Sequence, residues 1–319
     1  MILKEREVPR IILQLKALLS RLPQHHTKIP QITLELNKRT AGFKGEQAID
    51  YPLSFLDEKD YYIFHDLRLR TKNHFFQIDT LILTKNTAII LEVKNFSGTI
   101  YFDSDFKQLI QSKDGIEKGF TYPLTQLERQ EILLREWLLL NKLNSPTITS
   151  LVVISNSFTI IRTSTENKSL HQKIIHKEEL PYRIVHLVQT STHKTIEEKD
   201  LKKISRVLLK HHTIRETSIL DRYQIKEREI LKGTICKECG YLPLNRMKGN
   251  WYCPYCKKKD KLAHVQALNE YKLLFKPTIT NAEVRHFLVL SSGPTANRLL
   301  HSMNLRYTGE NKSRLYYLE

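Results

Sequence analysis

Two segments, Phe76-Gln77-Ile78-Asp79-Thr80-Leu81-Ile82-Leu83-Thr84 and Thr87-Ala88-Ile89-Ile90-Leu91-Glu92-Val93-Lys94-Asn95, constrain the fold more than any other stretch of the chain. Both are rich in β-branched residues and apolar at successive positions, as strands covered on both faces are. If Lys85-Asn86 are the loop between them, Thr84 faces Thr87, and counting back sets Asp79 opposite Glu92 and Gln77 opposite Lys94. Side chains alternate along a strand, so Glu92 and Lys94 share a face. Directly opposed residues share it too, with Cβ atoms ~5 Å apart. Two carboxylates facing each other in an apolar sheet repel unless something positive compensates. A hard divalent cation, Mg²⁺ or Mn²⁺, does this with oxygen ligands. Such a metal can lower the pKa of a bound water and clamp a phosphate oxygen. Lys94 could orient that water or offset developing charge. The bland alternative is a Glu–Lys pair on a solvated strand face; the apolar residues on both sides of Glu92 count against it.

The surrounding pattern predicts an α/β fold, a mixed sheet flanked by helices. Strands are expected over Tyr61 to Leu69, at Ile100-Tyr101-Phe102, over Ile148 to Ser155 and over Ile184 to Val188, with a hairpin at Asp114-Gly115. Pro123 suits a first helical turn, and leucines with Trp137 recur at helical spacing over 124–143. One helix is expected near the N-terminus, then a loop with Pro23 and Pro30. A second helix, within 31–50, is expected to break at Ala41-Gly42-Phe43-Lys44-Gly45 and restart at Gly45 with Glu46 in its first turn.

At this point the residues resemble the NERD (nuclease-related) domain of the PD-(D/E)xK nuclease superfamily. The resemblance rests on Gly42-Phe43-Lys44-Gly45-Glu46, Gln77-Ile78-Asp79, Glu92-Val93-Lys94-Asn95 with Ser97-Gly98-Thr99-Ile100, and Tyr122-Pro123-Leu124-Thr125-Gln126, in the family's order over roughly 35–160. It implies a restriction-endonuclease-like sheet and metal-dependent phosphodiester hydrolysis of DNA. By position it implies that Asp79 and Glu92 hold Mg²⁺ (or Mn²⁺), with the Val93 carbonyl as a third ligand and Glu46 completing the site. Lys94 would be the catalytic lysine, and Gln126 matches the Pro-x-x-Gln position. Ile78 stands where the superfamily's proline would be, as is usual in this family. Without the resemblance, Glu46 reads as a helix N-terminal charge and Gln126 as an exposed first-turn residue.

The four cysteines occur only as Cys236-x-x-Cys239 and Cys253-x-x-Cys256, with thirteen residues between the pairs. Each pair offers two thiolates from one tight turn, the pattern of a four-cysteine zinc ribbon, and four protein ligands make the Zn²⁺ structural. Two disulfides or a redox Cys-x-x-Cys are the rivals. Lys248, Trp251, Tyr252, Lys257, Lys258, Lys259 and Lys261 mix cations with aromatics, as nucleic-acid contact requires, although a lysine run also serves as a plain solvated face.

Further on, Thr280-Asn281-Ala282-Glu283 resembles a capping box. Val284, Phe287, Leu288 and Leu290 line one helix face, Ser291-Ser292-Gly293-Pro294 breaks it, and Thr295 to Met303 form a second helix. A hairpin around Gly309-Glu310-Asn311-Lys312 follows. Helix, turn, helix and wing resemble a winged helix-turn-helix, with Thr295, Asn297, Arg298 and His301 as candidate base or groove contacts and Lys312 and Arg314 near phosphates.

Charge gives the whole chain a direction. Against 34 acidic residues stand 51 Lys and Arg, a net +17, which favours a polyanionic partner. A membrane surface is the competing reading, but the stretch Ile11 to Leu19 has a thin polar face, no run of about 18 apolar residues exists, and no signal-peptide cleavage site follows. A cytoplasmic protein is expected. The expected organisation is a helical extension (1–34), a nuclease-like domain (35–192), a helical linker (193–232), a zinc ribbon (233–265) and a winged module (270–319). The function expected is a metal-dependent nuclease acting on DNA; the alternatives are a non-catalytic DNA-binding protein on a nuclease-like fold, and RNA as the partner.

Overall fold

The computed structural model describes residues 1–164, 170–191 and 195–318, the side chain of Lys312 excepted. Strand β1 (Ile2–Lys4) and helices α1 (Arg10–Arg21), α2 (Ile29–Gln47) and α3 (Asp50–Leu53) lead into strands β2 (Tyr62–Arg70), β3 (Phe75–Leu83) and β4 (Thr87–Lys94). Then come β5 (Thr99–Asp103), β6 (Gln108–Lys113), β7 (Ile116–Thr121), α4 (Pro123–Leu140), β8 (Thr147–Ile154), β9 (Ile160–Thr163), β10 (Ile174–His176), α5 (Leu180–Gln189) and α6 (Glu198–His211). The chain divides into two units, Met1–Glu7 with Thr40–Arg215, and Val8–Arg39 with Glu216–Glu319.

The first unit is built on a six-stranded mixed sheet in the order β1-β2-β3-β4-β8-β10. Strands β2, β3 and β4 are antiparallel, whereas β1 with β2, β4 with β8 and β8 with β10 run parallel. The β3–β4 register is the expected one: Leu83 faces Ala88, Ile82 faces Ile89, Leu81 faces Ile90 and Thr80 faces Leu91. The Thr84 N–H donates to the Thr87 carbonyl at 2.8 Å and closes the loop. Both faces of β4 are covered, which explains why its apolar run does not alternate with polar residues. Ala88 and Ile90 face a layer with Leu127, Leu134 and Trp137 of α4 and Leu201, Ile204 and Leu208 of α6. Ile89, Leu91 and Val93 face Leu53 of α3 and Leu180 and Ile184 of α5. Each fully buried side chain of this kind contributes about 1.5–3 kcal/mol. A second sheet, β7-β6-β5-β9, follows the β4 end; Asp114 and Gly115 make its hairpin with φ of 51° and 76°.

In the second unit, α1 and α7 (Ile219–Tyr223) pack through Leu15, Leu18, Ile219, Leu220 and Tyr223. Strands β11 (Asn245–Met247), β12 (Asn250–Tyr252) and β13 (Lys259–Asp260) form an antiparallel sheet that carries the cysteine pairs. Helix α8 (Ala263–Leu274) follows. Strand β14 (Thr278–Thr280), helices α9 (Asn281–Leu288) and α10 (Gly293–Ser302), and strands β15 (Tyr307–Thr308) and β16 (Leu315–Tyr317) complete the unit, the strands in the order β14-β16-β15. Thr280 caps α9 as a capping box: its hydroxyl accepts from the Glu283 N–H, and the Thr280 N–H donates to the Glu283 carboxylate at 2.8 Å. Arg21 is fully buried; its Nε donates to Glu270 at 2.6 Å and its guanidinium lies 4.4 Å from the Phe287 ring centre.

Four segments differ from the sequence expectation, each for a local reason. Residues 1–34 are not one helical extension: Ile2–Lys4 is an edge strand of the main sheet, too short to show periodicity. Helix α2 runs unbroken through Gly42 and Gly45. At Gly45 the helix needs closeness, since a Cβ there would lie 2.5 Å from the Asn95 Cβ and 2.9 Å from the Ser155 Oγ. Residues Ile184 to Val188 lie inside α5 rather than a strand; Leu180 and Ile184 are the fully buried residues of that helix, an amphipathic pattern that a β-branched run disguises. Within 193–232, α6 belongs to the core of the first unit instead of linking two domains.

Candidate active site

Pairing between β3 and β4 stops at Thr80 and Leu91. One residue further, the Asp79 side chain takes over the role of a ladder carbonyl: its Oδ2 accepts the Val93 backbone N–H at 3.0 Å. This pulls the carboxylate across to the end of β4, while its Oδ1 accepts no hydrogen bond among the described residues. Glu92 is 3% exposed, yet both of its oxygens are held. Oε1 accepts from the Lys94 Nζ at 2.7 Å, and Oε2 accepts from the Gln130 Nε2 at 3.0 Å. Lys94 also donates to the Gln126 Oε1 at 3.2 Å. Glu92, Lys94 and Gln126 thus form one hydrogen-bonded chain, and Asp79 reaches the same strand through the Val93 N–H.

Gln77 does not join them. At its position β3 pairs with β2 (Arg68 faces Gln77), and its amide donates to the Asp66 carboxylate at 2.6 Å. Its backbone carbonyl instead accepts from the Gln130 Nε2 at 3.0 Å. Gln130 escaped the sequence reading, although it stands four residues from Gln126 on α4, where side chains share a helix face.

Glu46, on the last turn of α2, comes in from the other side of the sheet end and is held by a residue that sequence reasoning missed. Arg6 donates to the Glu46 Oε2 at 3.2 Å, to the Asp50 Oδ1 at 3.1 Å, to the His65 Nδ1 at 2.8 Å and to the Thr80 Oγ1 at 3.1 Å. Its side chain is 4% exposed. Nothing in the sequence marks Arg6, because its partners lie 40 or more residues away and meet it only through the pairing of β1 with β2.

Negative charge exceeds what the neighbouring cations balance. Burial pushes the Asp79 carboxyl well above the usual carboxylate range, and Glu92 and Glu46 push it further. Burial raises Glu46 to about 7 against the opposing pull of Arg6, with Asp66 and Glu92 adding to the rise. Burial, then Arg6 and Lys4, hold His65 down at about 3, so its ring is neutral and its Nδ1 accepts. The donors are hard oxygens, which fit a cation such as Mg²⁺ or Mn²⁺. The carboxylates are not gathered tightly: among the described residues, only the four cysteines bring three or more potential ligand atoms within 4.8 Å of one another.

Those cysteines are all free thiols, with Sγ atoms 3.6 Å apart for Cys236–Cys256 and for Cys239–Cys253. Four sulfurs this close, on two tight turns, could form a zinc site. Trp251, expected at a nucleic-acid surface, is 1% exposed; its Nε1 donates to the His264 Nδ1 at 3.2 Å, so it is core. Tyr252 is half-buried, whereas Lys248, Lys257, Lys258, Lys259 and Lys261 are exposed.

On α10, Asn297, Arg298 and His301 are exposed and Thr295 is half-buried. Asn297 accepts from the Asn281 side chain at 2.6 Å, and Arg298 donates to the Thr295 hydroxyl at 3.3 Å. The Arg314 guanidinium lies 4.2 Å from the Tyr307 ring centre. The Lys312 side chain lies outside the described residues. No helix among the described residues is long and apolar enough to cross a membrane.

An uncharacterized protein of Bacillus anthracis is 29% identical over 99 residues, which is 31% of this chain and 46% of that relative, so the chain spans about half the relative's length. No solved structure matches the chain. Residues 41–155 match the NERD family, and this segment holds Glu46, Asp79, Glu92, Lys94 and Gln126 together; the chain therefore carries a nuclease-related domain at residues 41–155.

Proposed function

We propose that the first unit hydrolyses phosphodiester bonds of DNA with Mg²⁺ or Mn²⁺, and that the second unit binds nucleic acid. The observation that carries the first part is Asp79 crossing to the Val93 N–H, which brings its carboxylate to the end of β4, the strand that bears Glu92 and Lys94. Asp79 and Glu92 would hold the cation, with the Val93 carbonyl and Glu46 as further ligands. When bound, it would supply an acidified water and a clamp on a phosphate oxygen. Lys94, released from Glu92, would orient the attacking water or meet charge growing on the phosphate. Gln126 and Gln130 fix Lys94 and Glu92 from one helix face, and Arg6 fixes Glu46.

A structural zinc at the four cysteines would stabilise the small β11–β13 sheet, which has little core of its own. The α9–α10 pair with the β15–β16 hairpin supports a winged helix-turn-helix reading. Asn297, Arg298 and His301 are its exposed candidate contacts, with the half-buried Thr295 beside them and Lys312 and Arg314 on the hairpin.

One observation favours a second reading, a non-catalytic nucleic-acid-binding protein. Lys94 and Arg6 already pair with Glu92 and Glu46, and the carboxylates stand too far apart to form a compact ligand set. The deciding experiment incubates linear, circular and single-stranded DNA, and RNA, with the protein, with Mg²⁺, with Mn²⁺ or with no added divalent ion. Asp79→Asn and Lys94→Ala run alongside; the asparagine still accepts the Val93 N–H. Metal-dependent cleavage lost in both variants supports the nuclease. Binding without cleavage, unchanged in both, leaves the second reading.

A further inference from the structure

Two tyrosines of the cysteine unit are displayed rather than packed. Tyr241 follows Cys239-Gly240, and Tyr255 lies between Cys253 and Cys256. Their rings are parallel to within 2°, with centroids 6.4 Å apart, and the residues are 40% and 75% exposed. The contrast is with Trp251, buried under the same small sheet: the unit places one aromatic in its core and leaves these two outside.

Their placement follows from the cysteine turns. The Cys236 N–H donates to the Tyr241 carbonyl at 2.9 Å, and the Cys256 N–H donates to the Cys253 Sγ at 3.4 Å. The turns that gather the four sulfurs are thus also the turns that carry the two rings. Around them, residues 233–265 carry Lys237, Arg246, Lys248, Lys257, Lys258, Lys259 and Lys261 against Glu238 and Asp260 alone. Lys237 pairs with Asp260 at 3.4 Å, while Lys248, Lys258, Lys259 and Lys261 are exposed.

We propose that Tyr241 and Tyr255 form a stacking platform for unpaired nucleobases, with the neighbouring lysines on the phosphates. The proposal rests on the reading of the second unit as nucleic-acid-binding and is independent of cleavage. Parallel rings present faces of one orientation, as successive bases of a single strand do. Any base has such a face, so the platform tolerates sequence. Bases inside a duplex cover one another's faces and offer only backbone, which the lysines alone would meet. Single-stranded DNA and single-stranded RNA share this chemistry.

The test uses the zinc-loaded full chain carrying Asp79→Asn, without Mg²⁺, so that binding is read without cleavage. Anisotropy is measured with labelled oligo-dT, oligo-rU and a blunt-ended, fully paired duplex. Tyr241→Leu and Tyr255→Leu should each weaken single-strand binding about 5- to 160-fold, the range of a lost stacking contact, and leave duplex binding and zinc content unchanged. Tyr255→Phe should bind as the parent does. Independently of any substitution in this unit, photocrosslinking of 4-thiouracil oligonucleotides should map to the peptides holding Tyr241 and Tyr255. Wild-type binding to single strands in both Leu variants, equal loss for single strand and duplex with zinc retained, no single-strand binding by the parent, or crosslinks confined to other peptides would overturn the platform and leave the metal-dependent cleavage assay unaffected.

Discussion

Replacing Gly45 by alanine should destabilise the first unit, while the same change at Gly42 should stabilise it. Both glycines lie inside α2, where glycine costs ~1 kcal/mol relative to alanine, so local propensity favours both replacements equally. Packing separates them. A Cβ at Gly42 meets nothing within 4 Å. A Cβ at Gly45 would sit 2.5 Å from the Asn95 Cβ, 2.9 Å from the Ser155 Oγ and 3.1 Å from the Asn95 Cγ. Carbon atoms settle at ~3.5–4.0 Å, so helix and strand must part by about 1 Å. The nearest atom is a Cβ fixed to the backbone, and the Asn95 amide is itself tied to the Ala41 carbonyl at 2.8 Å, so the side chain cannot swing aside freely. Overpacking of this kind costs ~1–3 kcal/mol, and a backbone clash belongs at the upper end. Less the helix gain, Gly45→Ala should lose about 2 kcal/mol net, or roughly 4–8 °C in Tm for a unit of this size; Gly42→Ala should gain roughly 2–4 °C. Circular dichroism melts of both variants, with Mn²⁺ titrations beside them, make the measurement. Glu46 follows Gly45 directly, so the displaced helix should also bind Mn²⁺ more weakly. Equal stabilisation by both alanines would refute the close approach and with it the account of why α2 carries a glycine beside Glu46.

Further outcomes follow from other contacts. Arg6→Ala leaves Glu46, Asp50 and the His65 Nδ1 without their guanidinium and should cost about 3 kcal/mol, measured by denaturant unfolding, against about 0–1 kcal/mol for the exposed Arg39→Ala. His65 has a folded pKa of about 3, below its ordinary 6.5, so its contribution is present above pH 6.5 and is lost as pH falls from there toward 3. Stability measured at pH 7 and pH 5 should therefore fall less in His65→Gln than in the parent. Purified protein should contain one zinc by metal analysis, and Cys239→Ser or Cys253→Ser should lose it and red-shift the emission of Trp251 while that of Trp137 stays unchanged.

The sequence disclosed what is local and periodic. A two-residue loop between apolar runs set the β3–β4 register as far as Thr80 and Leu91, and the Asp79 side chain extends it to the Val93 N–H. The capping box at Thr280 and the cysteine spacing were legible for the same reason, since each is a short-range geometric requirement. What stayed hidden depends on tertiary neighbours. Gly45 reads as a breaker until Asn95 and Ser155 are seen against it. The α5 run Ile184 to Val188 reads as a strand because its branched residues satisfy both periods over so short a span. Arg6 is one arginine among many until β1 joins the sheet, and Trp251 reads as a surface aromatic until His264 is found beneath it.

The Arg6 network also separates ancestry from autonomy. The segment that matches the nuclease-related family begins at residue 41, yet β1, which brings Arg6 to Glu46, lies before it, and β10, α5 and α6, which cover the sheet, lie after it. A fragment cut at the family boundaries would uncover the Leu134 and Trp137 layer where Leu201, Ile204 and Leu208 now sit, and would strand His65 and Glu46 without a donor. The matched segment carries the candidate site residues; the strand before it and the helices after it supply the layers against which that segment packs.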